Sequence, residues 1–367
     1  MEEERRTLKP SVSFGTDELP IKPEEVTADW INAVFRQNGL PQTEEVESIE
    51  LLPKRDGYGF VGILSGVKLN YGKSASDAPQ YLMAKFSSDT KTSQLMSVRE
   101  VLFYRDVAPQ LNLRTPICYF AGTTQKGRST LLIEYFSEGS CGDSLNGCTP
   151  EQAELVFISI AELHGQWWND PSLHQRDWLG SRHKASVDDL QAAVKESWPG
   201  FREEYESMIP EWASKIAVKA IDRVPEIFSK RAEGPFTLVH GDMQLDNVWF
   251  GHRDAPVILF DWAGTMWAKG AEDIGNFLSD SYPVDQRREN EDRLLNTYIE
   301  KLGSFGIIDL PLPLLREHIA ARILLTLIVL PLAAGRDSSN ERTKRQFHSW
   351  LERCVAMWED YPVGNVL

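Results

Sequence analysis

Three polar residues in one stretch of this 367-residue chain have the types that phosphoryl transfer requires. Asp242 follows His240 and Gly241, Asn247 stands five positions later, and Asp261 closes the run ILFDW. Transfer of phosphate from ATP asks little covalent chemistry of a protein. It needs a carboxylate to orient the attacking hydroxyl and oxygen ligands for Mg²⁺ on the phosphates. Magnesium takes hard oxygen donors such as carboxylates and amide oxygens. Asp and Asn also favour turns, so ordinary loop polarity is the plain alternative. The spacing His-x-Asp-x4-Asn arises by chance in about one chain in a hundred. A third acid at the return of a short hairpin makes chance a weaker account.

Two apolar runs, VWF and VILF, flank the turn GHRDAP and predict the small β-hairpin that returns Asp261 to the loop. Around it the pattern is helical: a long apolar helix from Thr149 to Trp168, further helices to about Ala232, and several from Ala271 onward. The first half reads differently. After an extended arm over residues 1–20, Val26, Trp30, Val34 and Phe35 recur at helical spacing from about Pro23 until Gly39 and Pro41. VESIELLP, GFVGILSGVKLNY and QYLMAKFS then alternate as strands. Residues 92–108 return to helix, followed by strand-like ICYFAGT and STLLIEYF. The pattern predicts an α+β chain of two lobes. Residues 1–136 form a β-rich N-lobe with one central helix, and residues 137–367 a helical C-lobe. The length suits two such bodies.

HGDMQLDN followed by ILFDW closely resembles the catalytic segment of the aminoglycoside phosphotransferase and choline kinase superfamily, and most of all its ecdysteroid-kinase-like branch. The resemblance implies a bilobal protein-kinase-like fold, use of ATP with Mg²⁺, and phosphorylation of a hydroxyl on a small molecule. It implies Asp242 as catalytic base, with Asn247 and Asp261 as magnesium ligands. Asp-Trp stands where protein kinases have Asp-Phe-Gly. In AEDIGNFL, Asp273 matches a structural aspartate that braces the catalytic loop; helix capping is its alternative.

A nucleotide grip is then expected in the first lobe. Gly57, Gly59 and Gly62 in RDGYGFVG would let backbone amides approach phosphates. Lys85, at the end of QYLMAKFS, either snorkels at a sheet edge or reaches the α- and β-phosphates. Glu100 lies on the stripe Met96–Glu100–Phe103–Val107 of the lobe's helix, where a lone carboxylate is costly. Lys85 is its natural partner, with Glu134 as a rival for Lys85 and surface pairing as a rival for Glu100. Backbone groups around Glu134, Tyr135 and Phe136 are placed like a hinge that reads adenine. His164, in IAELHGQWW, reads as a satisfied core histidine rather than a ligand.

Acidic residues outnumber basic ones by 54 to 39, a net charge of −15, which argues against nucleic acid as a partner. Four cysteines form no metal-like cluster or disulfide framework, so a reducing, cytoplasmic setting is expected. The N-terminal twenty residues show no apolar signal-peptide core. The apolar run from Ile323 to Gly335 is too short to span a bilayer and reads as a buried helix. The expected protein is a small-molecule kinase, monomer or homodimer, whose acceptor is a small hydroxylated molecule. Trp262, Trp267 and Tyr282 are candidate substrate-stacking aromatics, with core packing expected for at least one. A degenerate kinase fold that binds nucleotide without catalysis, and a metal-dependent phosphohydrolase drawing on His252 and Asp254, are the alternatives.

Overall fold

Leu82, Ala84 and Phe86 alternate along one strand, and the period of two sends all three to the same face of a sheet. On that face they bury against Val67 and Leu69 of a neighbouring strand and Ile31, Val34 and Phe35 of a helix. This is the core of the first of two units in a computed structural model that describes residues 11–14, 19–38, 45–53, 62–72, 78–180, 187–231, 233–252, 255–334 and 341–365. Contacts divide the chain into Met1–Gly139 with Gly251–Thr265, and Ser140–Phe250 with Met266–Leu367. The division thus falls at Gly139 and Ser140, where the sequence suggested 136 and 137, and a segment after Phe250 rejoins the first unit.

The first unit holds β1 (Ser11–Phe14), α1 (Ala28–Gln37), β2 (Val46–Leu51), β3 (Gly62–Tyr71), β4 (Tyr81–Ser87), α2 (Lys91–Asp106), β5 (Cys118–Thr123), β6 (Ser129–Glu134) and β10 (Ala255–Leu259). Six strands form one sheet in the order β1-β5-β6-β4-β3-β2. All pairs are antiparallel except β1 with β5, where Ser11 stands opposite Phe120. The expected extended arm therefore donates a strand, which needs only its backbone groups. β4 is an interior strand: Lys85 stands opposite Leu64 on β3 and Leu131 on β6. Snorkelling at a sheet edge is excluded. Because Ala84 and Phe86 face α1, the alternation turns Lys85 to the other face, where α2 packs on β4, β5 and β6.

The second unit is mainly helical: α3 (Pro150–Gln166), α4 (Val187–Glu204), α5 (Glu211–Asp222), α6 (Val224–Arg231), α7 (Ala271–Asn276), α8 (Val284–Gly303), α9 (Leu312–Leu324), α10 (Thr326–Ala333) and α11 (Glu341–Asp360). Thr149 and Gln152 close a reciprocal cap at the start of α3, and Pro150 at its first turn suits the fixed φ of proline. The apolar run from Ile323 is divided between α9 and α10 and is mostly buried, with Val329 exposed, so one expected helix is two. Short strands β8 (Thr237–Val239) and β11 (Met266–Ala268) pair antiparallel. β7 (Ser140–Cys141) pairs with β9 (Val248–His252) through Ser140–Phe250 and Cys141–Trp249. Among the described residues no helix is long and apolar enough to cross a membrane.

Candidate active site

In the first unit, Lys85 and Glu100 are nearly sealed from solvent, at 7% and 1% exposure. The Lys85 Nζ lies 2.6 Å from Glu100 Oε2 and 2.8 Å from Asp261 Oδ1. The partner expected for Glu100 is therefore present, and Asp261 joins it. Burial pushes the Glu100 carboxyl up to about 7, against the opposing pull of Lys85, while the Asp261 charge adds to the rise. Burial pulls Lys85 down, but Asp261 and Glu100 outweigh it and hold its ammonium well above its ordinary value. Two acids thus share one buried ammonium, Glu100 sealed from solvent and Asp261 partly exposed.

Asp261 reaches this lysine from a backbone with φ 62° and ψ 65°, the left-handed region that disfavours a side chain. Neighbouring packing holds it there. Trp262 is fully buried and stacks on Phe103 of α2 at 4.2 Å with 9° between the rings, one turn beyond Glu100. Its indole N–H donates to the Leu259 carbonyl at 3.2 Å. The aromatic pair fixes the metal-candidate acid to the helix that carries Glu100.

In the second unit, Asp242 and Asn247 are brought together by the loop between β8 and β9. Asn247 donates its amide to the Asp242 carbonyl at 2.8 Å and to Asp242 Oδ2 at 3.3 Å. With both contacts made through its nitrogen, the Asn247 amide oxygen is the atom of this side chain that suits a cation. Carboxylate and amide oxygens are the donor types that magnesium accepts, so the residues present fit the ion. Gly241, at φ 75°, makes the turn before Asp242 without the clash a Cβ would bring.

Asp273 holds that turn from behind. Its Oδ2 accepts from the His240 N–H at 2.7 Å and its Oδ1 from the Gly241 N–H at 2.8 Å. His164 Nε2 donates to Oδ2 at 3.1 Å, which leaves Nδ1 to accept from the Tyr298 hydroxyl at 2.9 Å. Burial opposes the Asp273 charge, but the hydrogen bonds from His164 and the Gly241 amide prevail and hold the carboxyl below the usual range. His164 is thus a satisfied core histidine at 0% exposure. Asp273 precedes Ile274 within α7 and binds loop amides rather than capping a helix end.

Other expected residues fall elsewhere. Gly57 and Gly59 lie outside the described residues. Gly62 has a packing reason for lacking a side chain, since a Cβ there would stand 2.7 Å from the Phe86 carbonyl. Glu134 is no rival for Lys85. Its carboxylate takes two contacts from Arg114 Nη2, at 2.8 and 2.7 Å, and one from the Ile117 N–H at 3.0 Å. Its own N–H goes to the Ile117 carbonyl. Tyr135 leans on Tyr81 and Phe136 meets His252 edge-on. Trp262 and Tyr282 are core at 0% exposure, while Trp267 packs between His174 and Phe236. Arg114 and Tyr298 gave no local signal, because each is marked only by a partner distant in sequence. Among the described residues no three His, Cys, Asp or Glu side chains gather as a metal cluster.

The model of the ecdysteroid kinase-like family matches residues 158–305, a span that contains His164, Asp242, Asn247, Asp261 and Asp273. The resemblance of the catalytic segment therefore holds. Solved structures carry the same fold over nearly the whole chain. A choline kinase from Cryptosporidium parvum Iowa II is 11% identical with a TM-score of 0.55, over 90% of this chain and 96% of that one. A Plasmodium vivax ethanolamine kinase is 15% identical with a TM-score of 0.54, over 90% and 89%. A spectinomycin phosphotransferase in complex with ADP and spectinomycin is 12% identical with a TM-score of 0.51, over 92% and 99%. No curated protein sequence matches the chain. The fold is the protein-kinase-like fold of small-molecule kinases.

Proposed function

We propose that the protein is a small-molecule kinase that moves the γ-phosphate of Mg·ATP to a hydroxyl of a small acceptor. The observation that carries this reading is the buried triad of Lys85, Glu100 and Asp261. A lysine held charged in a dry site by two acids is suited to phosphate, and a structural ion pair has no need of a second acid. Lys85 would bind the α- and β-phosphates, with Glu100 orienting it. Asn247 and Asp261 would hold Mg²⁺, which when bound neutralises charge on the phosphates. Asp242 would accept the acceptor's proton and fix its line of attack. Gly57, Gly59 and the hinge residues Glu134, Tyr135 and Phe136 complete the proposed nucleotide contacts. That none of the four cysteines is in a disulfide supports a cytoplasmic setting. Choline and ethanolamine kinases and aminoglycoside phosphotransferases support a small hydroxylated acceptor by their shared fold.

The test is calorimetric titration of Mg·ATP into wild type, Asp242→Asn and Asp261→Ala, with ATP consumption screened against hydroxylated small molecules. Asp242→Asn keeps shape and loses the base, so nucleotide affinity survives while transfer falls by orders of magnitude. Asp261→Ala loses both. Nucleotide binding without consumption of ATP by any acceptor, water included, favours a degenerate nucleotide-binding kinase fold. No binding at millimolar Mg·ATP refutes the reading.

A further inference from the structure

Asp246 stands inside the catalytic segment, one residue before Asn247, yet its carboxylate turns away from Asp242. Its Oδ2 accepts from the Ser144 N–H at 3.1 Å and from Gln346 Nε2 at 3.1 Å. Its Oδ1 accepts from Arg342 Nη2 at 3.2 Å. Arg342 and Gln346 lie one turn apart on α11, about a hundred residues downstream, and so present one face. The same guanidinium donates to Asp143 Oδ1 at 3.0 Å and to Oδ2 at 3.4 Å. Two acids on separate segments therefore share one fork of donors, a geometry that arginine's planar group provides. The Asp246 side chain is 14% exposed, and burial opposes the charge of Asp143, whose carboxyl Arg342 nonetheless holds below its ordinary range.

The rest of the turn is gripped through its backbone. Leu245 N–H donates to Ser281 Oγ at 2.8 Å, and Gly142 N–H donates to the Val248 carbonyl at 2.8 Å. A Cβ on Gly142 would stand 2.4 Å from the Leu245 carbonyl oxygen, so the two backbones lie in close contact. Within the turn, the C-terminal helix holds the side chain of Asp246, directly before the proposed metal ligand.

We propose that Arg342, assisted by Gln346, is a positioning residue for the Asn247 amide, acting from α11 through Asp246. The proposal rests on the kinase reading above. With the guanidinium removed, Asp143 and Asp246 lose their common cation and repel each other. The turn then yields, and the Asn247 oxygen leaves its place while its contacts to Asp242 loosen. Residues behind metal ligands commonly change metal affinity by about 10–100-fold when lost.

The experiment titrates Mg²⁺ at saturating ATP into wild type, Arg342→Met, Arg342→Lys, Gln346→Leu and Arg345→Met, with ATP binding in EDTA and amide exchange of the metal-free proteins alongside. Arg342→Met should raise the Mg²⁺ concentration for half-saturation about tenfold, leave ATP binding in EDTA unchanged, and speed exchange at residues 245–248. Arg342→Lys should recover part of the affinity, since one ammonium cannot fork two carboxylates. Arg345→Met, an exposed change on the same helix, should match wild type. Should Arg342→Met fail to fold, Gln346→Leu reads the same shift in smaller measure. An unchanged Mg²⁺ dependence in a folded Arg342→Met or Gln346→Leu variant, with ATP still bound, overturns this inference alone. A wild type that binds no ATP overturns the kinase reading and this inference together.

Discussion

Replacing Lys85 by methionine keeps most of the side-chain volume and removes the cation that Glu100 and Asp261 share. Glu100 at 1% exposure cannot recover water, so above its raised titration range the variant leaves an uncompensated buried charge. Breaking a buried pair in this way costs about 3–5 kcal/mol. For a unit of this size each kcal/mol moves the midpoint by about 2–4 °C, so Tm should fall by roughly 6–20 °C. The loss must also depend on pH. The Glu100 carboxyl is raised by burial from 4.5 to about 7. A raised carboxyl binds protons more tightly when folded, so its contribution is fully present below pH 4.5 and is lost as pH rises through 7. At 1.36 kcal/mol per decade that loss is about 3 kcal/mol in wild type. Without Lys85 the carboxyl rises further, and the loss continues past pH 7. Calorimetry should therefore find the deficit of Lys85→Met wider at pH 8.5 than at pH 6. Lys85→Met/Glu100→Leu, which removes the sealed acid together with its cation and leaves the partly exposed Asp261, should recover most of it. A deficit below about 1 kcal/mol, or one that is flat across this range, would refute the account of a dry, two-acid site.

Asp273→Asn should destabilise the fold by about 3 kcal/mol, because an NH2 would replace one of the two oxygens and turn donors toward the His240 or the Gly241 amide. The Asp273 carboxyl is held below 3.8, so its contribution is present above that pH and lost below it; urea midpoints should show a smaller deficit at pH 3 than at pH 7. Gly142→Ala should cost about 1–3 kcal/mol by overpacking against a backbone carbonyl that cannot rotate away. Thermal unfolding at wild-type affinity for Mg²⁺ would place that loss in packing alone; a Tm equal to wild type would show that the segment yields freely.

The alternation of Leu82, Ala84 and Phe86 and the helical stripe through Glu100 were legible because periods of 2.0 and 3.6 residues say which side chains share a face. A carboxylate on an apolar stripe must find a cation, so the pairing of Glu100 with Lys85 followed from cost rather than from contact. His164 was legible in the same way, as a core group needing partners. The candidate segment could be picked out because its polar residues are concentrated between His240 and Asp261. What sequence could not supply was the identity of partners far along the chain. Asp261 meets Lys85 across 176 positions, and Arg342 meets Asp246 across 96. Nothing local says which distant partner each of those residues meets. Arg114 claims Glu134, which the strand pattern left open to Lys85, and Ser11–Phe14 becomes a strand only because β5 offers an edge. Local periodicity determines which face a residue presents. Only the tertiary fold decides which charge stands opposite, because a salt bridge depends on distance in space and leaves no period in the chain.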